Sequence, residues 1–173
     1  ISVCLVGSEM CIRDRYSKMI SLWSPGEEGA HSKIEEFISN GLNNYKEGRN
    51  FPSNQNVSQL SPHLHFGEVS PNQVWYRAKT KEGKLGIKKD LDHFLSELGW
   101  REFSFNLLYH FPFLPKENLQ KKFDNFPWDN DNDKLKKWQR GLTGYPIVDA
   151  GMQELWQTGY MHNRLRMVVG SFL

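Results

Sequence analysis

Glu97, Trp100 and Arg101 stand at i, i+3 and i+4 within the stretch Leu95 to Phe105. On a helix this spacing sets a carboxylate, an indole and a guanidinium side by side on one face. Such a face suits a planar polar guest, because the indole offers a stacking surface while the flanking ions supply an acceptor and a fork of donors. The same spacing also fits a plain Glu97–Arg101 helix pair beside a half-buried Trp. A second constellation is Ser58 and Ser61 beside a helix start, where free backbone amides carry partial positive charge and can cradle an anion. Capping alone accounts for Ser61, so anion binding there needs independent support. Near the end of the chain, Asn163, Arg166, Met167 and Gly170 share a helical face, and Arg164 and Arg166 flank an apolar stripe.

Other chemistries find no footing. Asp129, Asp131 and Asp133 imitate a calcium loop, but the sixth position is Lys134 instead of Gly and the twelfth is Arg140 instead of Glu. The His residues are scattered and the two Cys, Cys4 and Cys11, lie near the start, so no zinc pattern exists. No Ser-His-Asp order or phosphate-loop glycine pattern stands out.

The elements that must position these groups are helical. Ile34, Phe37, Ile38 and Leu42 mark a first amphipathic helix after a Pro25-Gly26 turn. Tyr45 to Val57 follows as a polar loop. Ser61-Pro62 and Ser70-Pro71 each place a hydroxyl at an N-cap and proline at the first helical position, with Gly67 as a stop between them. A Gly-punctuated basic linker, Lys79 to Lys89, leads to the central helix, whose apolar face is Ile87, Leu91, Phe94, Leu95 and Leu98. That helix ends before Pro112 and Pro115. Residues 116–133 read as an irregular loop carrying Phe123, Phe126 and Trp128. Helices follow over Lys134 to Gln139, from Pro146 through Trp156, and after Gly159, where Leu165, Val168, Val169 and Phe172 form the apolar stripe. No alternation demands a strand, so the fold class expected is all-α.

With 173 residues the chain suits one domain or a piece of a larger one. A net charge of +2 is nearly neutral, so affinity for nucleic acid must come from a local basic patch. The low cysteine content implies no disulfide framework and points to a reducing cytoplasm. No apolar run approaches membrane-spanning length, and Ile1 to Val6 makes a poor signal peptide. Residues 1–16 resemble translated sequencing-adapter sequence and are set aside, leaving 17–173. The apolar pattern runs to Leu173 without a stop signal, as in a fragment, so Val168, Val169 and Phe172 are expected to be more exposed here than in the parent.

Four segments, Tyr45 to Pro52, Ser58 to Pro71, Leu95 to Phe103 and Gly141 to Phe172, together resemble the photolyase and cryptochrome family. The resemblance covers residues 22–173 and matches the first half of that family's helical flavin-binding domain, a partial helical bundle. It implies a flavin adenine dinucleotide held by Tyr45, by Ser58, Gln59, Leu60 and Ser61 at its phosphates, and by Phe94, Glu97, Arg101 and Arg166 around the pocket. Family members usually carry Thr where this chain has Val57. It further implies DNA containing a pyrimidine dimer as partner, with Arg49 and Arg164 on phosphates and Glu97, Trp100, Arg101, Asn163 and Met167 facing the lesion. The damaged bases leave the duplex to reach the flavin, stack on Trp100, and meet hydrogen bonds from Glu97 and Asn163. Trp128 corresponds to the surface end of a tryptophan chain that photoreduces the flavin.

Residue choices separate the family's branches. Six-four photolyases and animal cryptochromes have His where Asn163 and Met167 stand, since their chemistry needs an acid-base imidazole. Plant cryptochromes carry Asp at the Asn163 position and lack Trp at 100. The expectation is therefore a class I cyclobutane-dimer photolyase, a monomeric light-driven lyase, with a blue-light receptor of cryptochrome type as first rival and a flavin-free helical nucleic-acid module as second. An antenna pigment of folate or deazaflavin type is expected in the parent, on a domain outside this chain, and the fragment alone is expected to be inactive.

Overall fold

The computed structural model of the chain describes residues 19–173, so the reading of residues 1–16 as a leader lies outside the described residues. Helices run over Glu27–Glu36 (α1, prolonged by a π turn at Phe37–Gly41), Tyr45–Gly48 (α2), Ser61–His65 (α3), Pro71–Lys79 (α4), Lys88–His110 (α5), Asn132–Gln139 (α6), Pro146–Thr158 (α7) and Asn163–Ser171 (α8). Among the described residues there is no strand, and the long loop before α6 holds a single 3-10 turn at Lys121–Phe123. The all-α reading stands.

Two apolar cores organise the helices. The larger joins α1, α2, α4 and α5 through Ile34, Phe37, Ile38, Leu42, Tyr45, Val74, Leu91, Phe94 and Leu98. Phe37, Tyr45 and Phe94 meet edge to face or tilted, with centroids 4.7 to 5.6 Å apart, a geometry that suits the ring quadrupoles. The smaller core joins α7 and α8 through Val148, Met152, Met161 and Val169, with Trp138 of α6 against it. The Trp138 Nε1–H donates to the Val169 carbonyl at 3.0 Å. Gly151 lets α7 and α8 approach: a Cβ there would meet a Val169 methyl at 3.0 Å. Val169 is consequently buried, while Val168 and Phe172 are each 40% exposed. The burial of Val169 follows from its side chain pointing at the Gly151 gap.

The two proline-marked helix starts behave differently. Ser70 forms a full capping box, its hydroxyl accepting from the Gln73 amide while the Gln73 side chain accepts from the Ser70 amide. Ser61 does not cap: it is already the first residue of α3, Leu60 takes the cap position, and no side chain closes that end. The cause is Gln59 in the left-handed region at φ 52°, which turns the chain so that Leu60 is buried and the Ser61 hydroxyl is left for other work.

Beneath α3, His63 Nδ1–H donates to Glu68 Oε2 at 2.5 Å, and the other Glu68 oxygen accepts the Gly26 amide at 2.9 Å. One carboxylate thereby ties the entry of α1 to the exit of α3. The Gly26 amide, and then the His63 ring, hold the Glu68 carboxyl below its ordinary value. A carboxyl depressed in the folded state adds stability above its unfolded pKa, and that stability is lost as pH falls through the folded value. Thermal unfolding measured at about pH 7 and about pH 3 is therefore expected to show a smaller drop for Glu68→Gln than for the parent chain; equal drops would refute the assignment.

Candidate functional site

Helix α5 carries the site because one of its faces holds down the segment that walls it. Asp90, His93 and Glu97 fall at i, i+3 and i+7 and point the same way. Asp90 accepts from the Asn44 amide at 2.9 Å and from the Lys46 amide at 2.8 Å, closing the N-terminus of α2 with a carboxylate. His93 Nε2 lies 3.3 Å from Arg49 Nη1. Glu97 forms an ion pair with the same Arg49 nitrogen. Arg49 is only 9% exposed, and its guanidinium sits 5.3 Å from the Tyr45 ring centroid. Burial opposes its charge, but the Glu97 hydrogen bond and the Tyr45 and Glu97 neighbours carry its pKa above the ordinary value.

These contacts revise two sequence expectations. Glu97 and Arg101 do not pair along the helix: Arg101 donates to Glu102 at 2.8 Å and to the Leu64 carbonyl at 3.3 Å, and lies 4.5 Å from the Phe105 centroid. Arg49, expected on a DNA phosphate, is turned inward instead, because Glu97 and the Tyr45 ring offer it a partner and a face. Burial pushes the Tyr45 phenol up to about 12, against the pull of Arg49, so Tyr45 is a neutral hydroxyl at physiological pH.

Along this wall lies a hollow of about 620 Å³. Of the residues singled out in the sequence, Tyr45, Arg49, Ser58, Gln59, Leu60, Ser61, Phe94, Glu97, Trp100, Arg101, Asn163 and Arg166 line it. Trp100 and Asn163, which are 63 positions apart in the chain, share the one space. The indole of Trp100 is 62% exposed and meets Phe103 edge to face at 5.7 Å. Val57, already noted for standing where the family has Thr, and Leu98 of the apolar face of α5 line it too, while Leu64, Ser104, Phe105, Leu108 and Tyr160 complete the lining and were not singled out by sequence reasoning. Phe105 carried a signal, since it follows Arg101 by one helical turn; so did Asp90 and His93 relative to Glu97. Tyr160, in a coil between helices, carried none.

The Ser58–Ser61 wall is fixed from behind. Gly48 has no side chain because Asn56 occupies the place: a Cβ would lie 2.2 Å from Asn56 Oδ1. Asn56 Nδ2 in turn donates to the Gly41 and Asn43 carbonyls at 3.0 and 2.9 Å. Ser58 Oγ accepts the Leu60 amide at the long distance of 3.5 Å. On the opposite side, α8 is capped by His162, whose Nδ1 accepts the Arg164 amide at 3.2 Å. Burial, then Arg164, Arg166 and Arg49, push the His162 pKa down. Asn163 Oδ1 accepts from Arg166 at 3.4 Å.

Three singled-out residues stand apart from the lining of this hollow. Arg164 reaches outward to Asn50, and Met167 lies against it, its Sδ 3.5 Å from Arg164 Nη1. Trp128 is exposed, packs on Phe126 at 4.6 Å, and borders a different hollow of about 660 Å³ with Trp138 and Phe172.

Removing one member of a largely buried ion pair strands the other. Because Glu97 is half-buried, Arg49→Ala is expected to cost about 2 kcal/mol in chemical denaturation, below the full range for buried pairs. The double variant Arg49→Met/Glu97→Gln is expected to recover part of that loss; if it is less stable than Arg49→Ala, the pair is not what holds α2 to α5.

Comparison with known proteins agrees with this architecture. A family model described as the FAD binding domain of DNA photolyase matches residues 94–173. A deoxyribodipyrimidine photo-lyase from Agrobacterium fabrum is 50% identical over 152 residues, 88% of this chain and 32% of that protein. Cryptochrome-2 of Arabidopsis thaliana is 43% identical over 160 residues, 87% of this chain and 26% of that protein. Among solved structures, a bacterial class III photolyase from Agrobacterium tumefaciens superposes with a TM-score of 0.89 at 48% identity, covering 92% of this chain and 33% of that one. An archaeal photolyase from Sulfolobus tokodaii gives 0.73 at 34% identity, covering 87% and 32%. With helices and lining residues arranged as above and spanning about a third of the length of these photolyases, the chain belongs to the photolyase/cryptochrome family.

Proposed function

We propose that the protein carrying this segment repairs cyclobutane pyrimidine dimers in DNA under light, using FAD, and that residues 17–173 are the N-terminal part of its flavin-binding domain. The observation that carries the reading is the shared hollow of Trp100 and Asn163, with the Ser58–Ser61 wall behind them. The residues suit such a cofactor: Phe94 and Leu98 give an apolar floor, Tyr45 a neutral phenol, Arg101 and Arg166 cations, and Ser61 a hydroxyl not spent on capping. Val57 lines the same hollow in place of the family's usual Thr, so phosphate contact falls to Ser58, Ser61 and the amides of α3. When bound, the reduced flavin supplies the electron that splits the dimer.

The chain's own residues do the binding and orienting. Trp100 stacks the extruded bases, a contact that tolerates any pyrimidine because every base has a π-face. Glu97 accepts from, and Asn163 both donates to and accepts from, the base edges. Arg49 acts through Glu97, keeping its carboxylate aimed into the hollow. Arg164 holds a phosphate at the rim, beside Met167. Trp128, exposed on Phe126, is the surface donor for photoreduction. Within the photolyases, the 48% identity to a class III structure favours that class over class I.

A second reading, a blue-light receptor that binds flavin without repair, is supported by the 43% identity to cryptochrome-2. A thymine-dimer oligonucleotide incubated with the whole protein separates the two: repair under blue light and none in darkness is expected, and intact dimers beside bound flavin would favour the receptor. Trp100→Ala is expected to weaken binding of the dimer duplex by about 1–3 kcal/mol. Its thermal stability should stay within about 0.5 kcal/mol of the parent, since the indole is exposed. The 173-residue chain alone is expected not to repair.

A further inference from the structure

Arg164 and Asn50 are separated by 114 positions, yet they meet at the rim of the hollow. Arg164 Nε–H and Nη2–H both donate to the single oxygen Asn50 Oδ1, at 2.9 and 2.6 Å. Asn50 is itself anchored, its amide donating to the Glu47 carbonyl at 3.1 Å and its Nδ2 to the Lys46 carbonyl at the longer distance of 3.4 Å. Its chain neighbour Arg49 is pinned by Glu97. The third Arg164 nitrogen, Nη1, faces only the Met167 sulfur at 3.5 Å, and a thioether is a weak acceptor. Among the described residues, no carboxylate lies within ion-pair distance of Arg164.

We infer that Asn50 is a positioning residue for DNA binding: it holds one edge of the Arg164 guanidinium with a neutral oxygen, so that the fork is ordered in advance while its charge stays available to a phosphate. The inference rests on the proposed phosphate contact of Arg164. The physical logic is that of preorganisation. A free arginine side chain gives up rotamer freedom when it is fixed, and an amide makes that fixation before DNA arrives. A carboxylate in the same place would fix the fork equally well but cancel the charge. An amide is the acceptor that does the first without the second. The sulfur of Met167 gives way to a phosphate oxygen on Nη1, since a charge-assisted N–H···O bond outweighs a thioether contact.

The test uses the flavin-loaded whole protein and a dimer-containing duplex, with affinity measured across a salt series. One phosphate contact contributes about 0.9 to the slope of log affinity against log salt on duplex DNA. Asn50→Asp, nearly isosteric and exposed, is expected to lower that slope by about 0.9 and to weaken binding at low salt. Asn50→Ala is expected to weaken binding about 3- to 10-fold with the slope retained, because the charge remains while the ordering is lost. Arg164→Gln is expected to lower both affinity and slope. If Arg164→Gln has these effects but both Asn50 variants bind within about twofold of the parent with its slope, the positioning role is wrong and the phosphate contact stands. If Arg164→Gln changes neither, the phosphate contact itself is wrong, and the role of Asn50 falls with it.

Discussion

The buried guanidinium of Arg49 is the constraint on which the rest of the site depends. A charge that is 9% exposed must be paired and hydrogen-bonded or it unfolds its surroundings. Glu97 and His93 meet that requirement from one face of α5, and Asp90 extends the same face to the start of α2. Because the three residues are spaced by helical turns, the segment from Asn44 to Asn50 cannot slide along α5 without losing all of them. The hollow exists because that segment is clamped on one side of α5 while Trp100 and Arg101, a turn further on, are left facing open space.

A second, independent clamp fixes the opposite wall. The glycine at position 48 admits the Asn56 side chain, Asn56 binds two carbonyls of the preceding turn, and the left-handed Gln59 then presents Ser61 at the start of α3. The strain of a non-glycine residue at positive φ is held here by the burial of Leu60 next to it. Backbone and side chain thus cooperate: the loop is irregular, but few of its degrees of freedom remain.

Much of the fold was legible in the sequence because it is written in helical periodicity. Leu91, Phe94, Leu95 and Leu98 mark the buried face of α5, and the capping box at Ser70 and Gln73 marks the start of α4. Most of the hollow's lining was also legible, through the family resemblance more than through spacing. What escaped has a common cause. The partners of Glu97 and Arg164 come from 48 and 114 positions away, and no local pattern specifies a contact of that range. The same holds for Ser61, whose type and neighbours fit a cap that the left-handed turn at Gln59 overrules.

The imidazole at the head of α8 carries one last implication, for how the site weathers acid. His162 serves as an acceptor through Nδ1, a role open only to the neutral ring, and its Nε2 is buried without a partner among the described residues. Three arginines and the loss of water both resist a second proton. A histidine whose folded pKa is depressed lends stability above its unfolded value and withdraws it as acidity rises past the folded one. The junction that delivers Asn163 into the hollow therefore favours the neutral ring over the protonated one. When it does yield, it yields by turning a lone pair into a donor aimed at an amide, prying open the first turn of the helix that bears Asn163, Arg164 and Arg166.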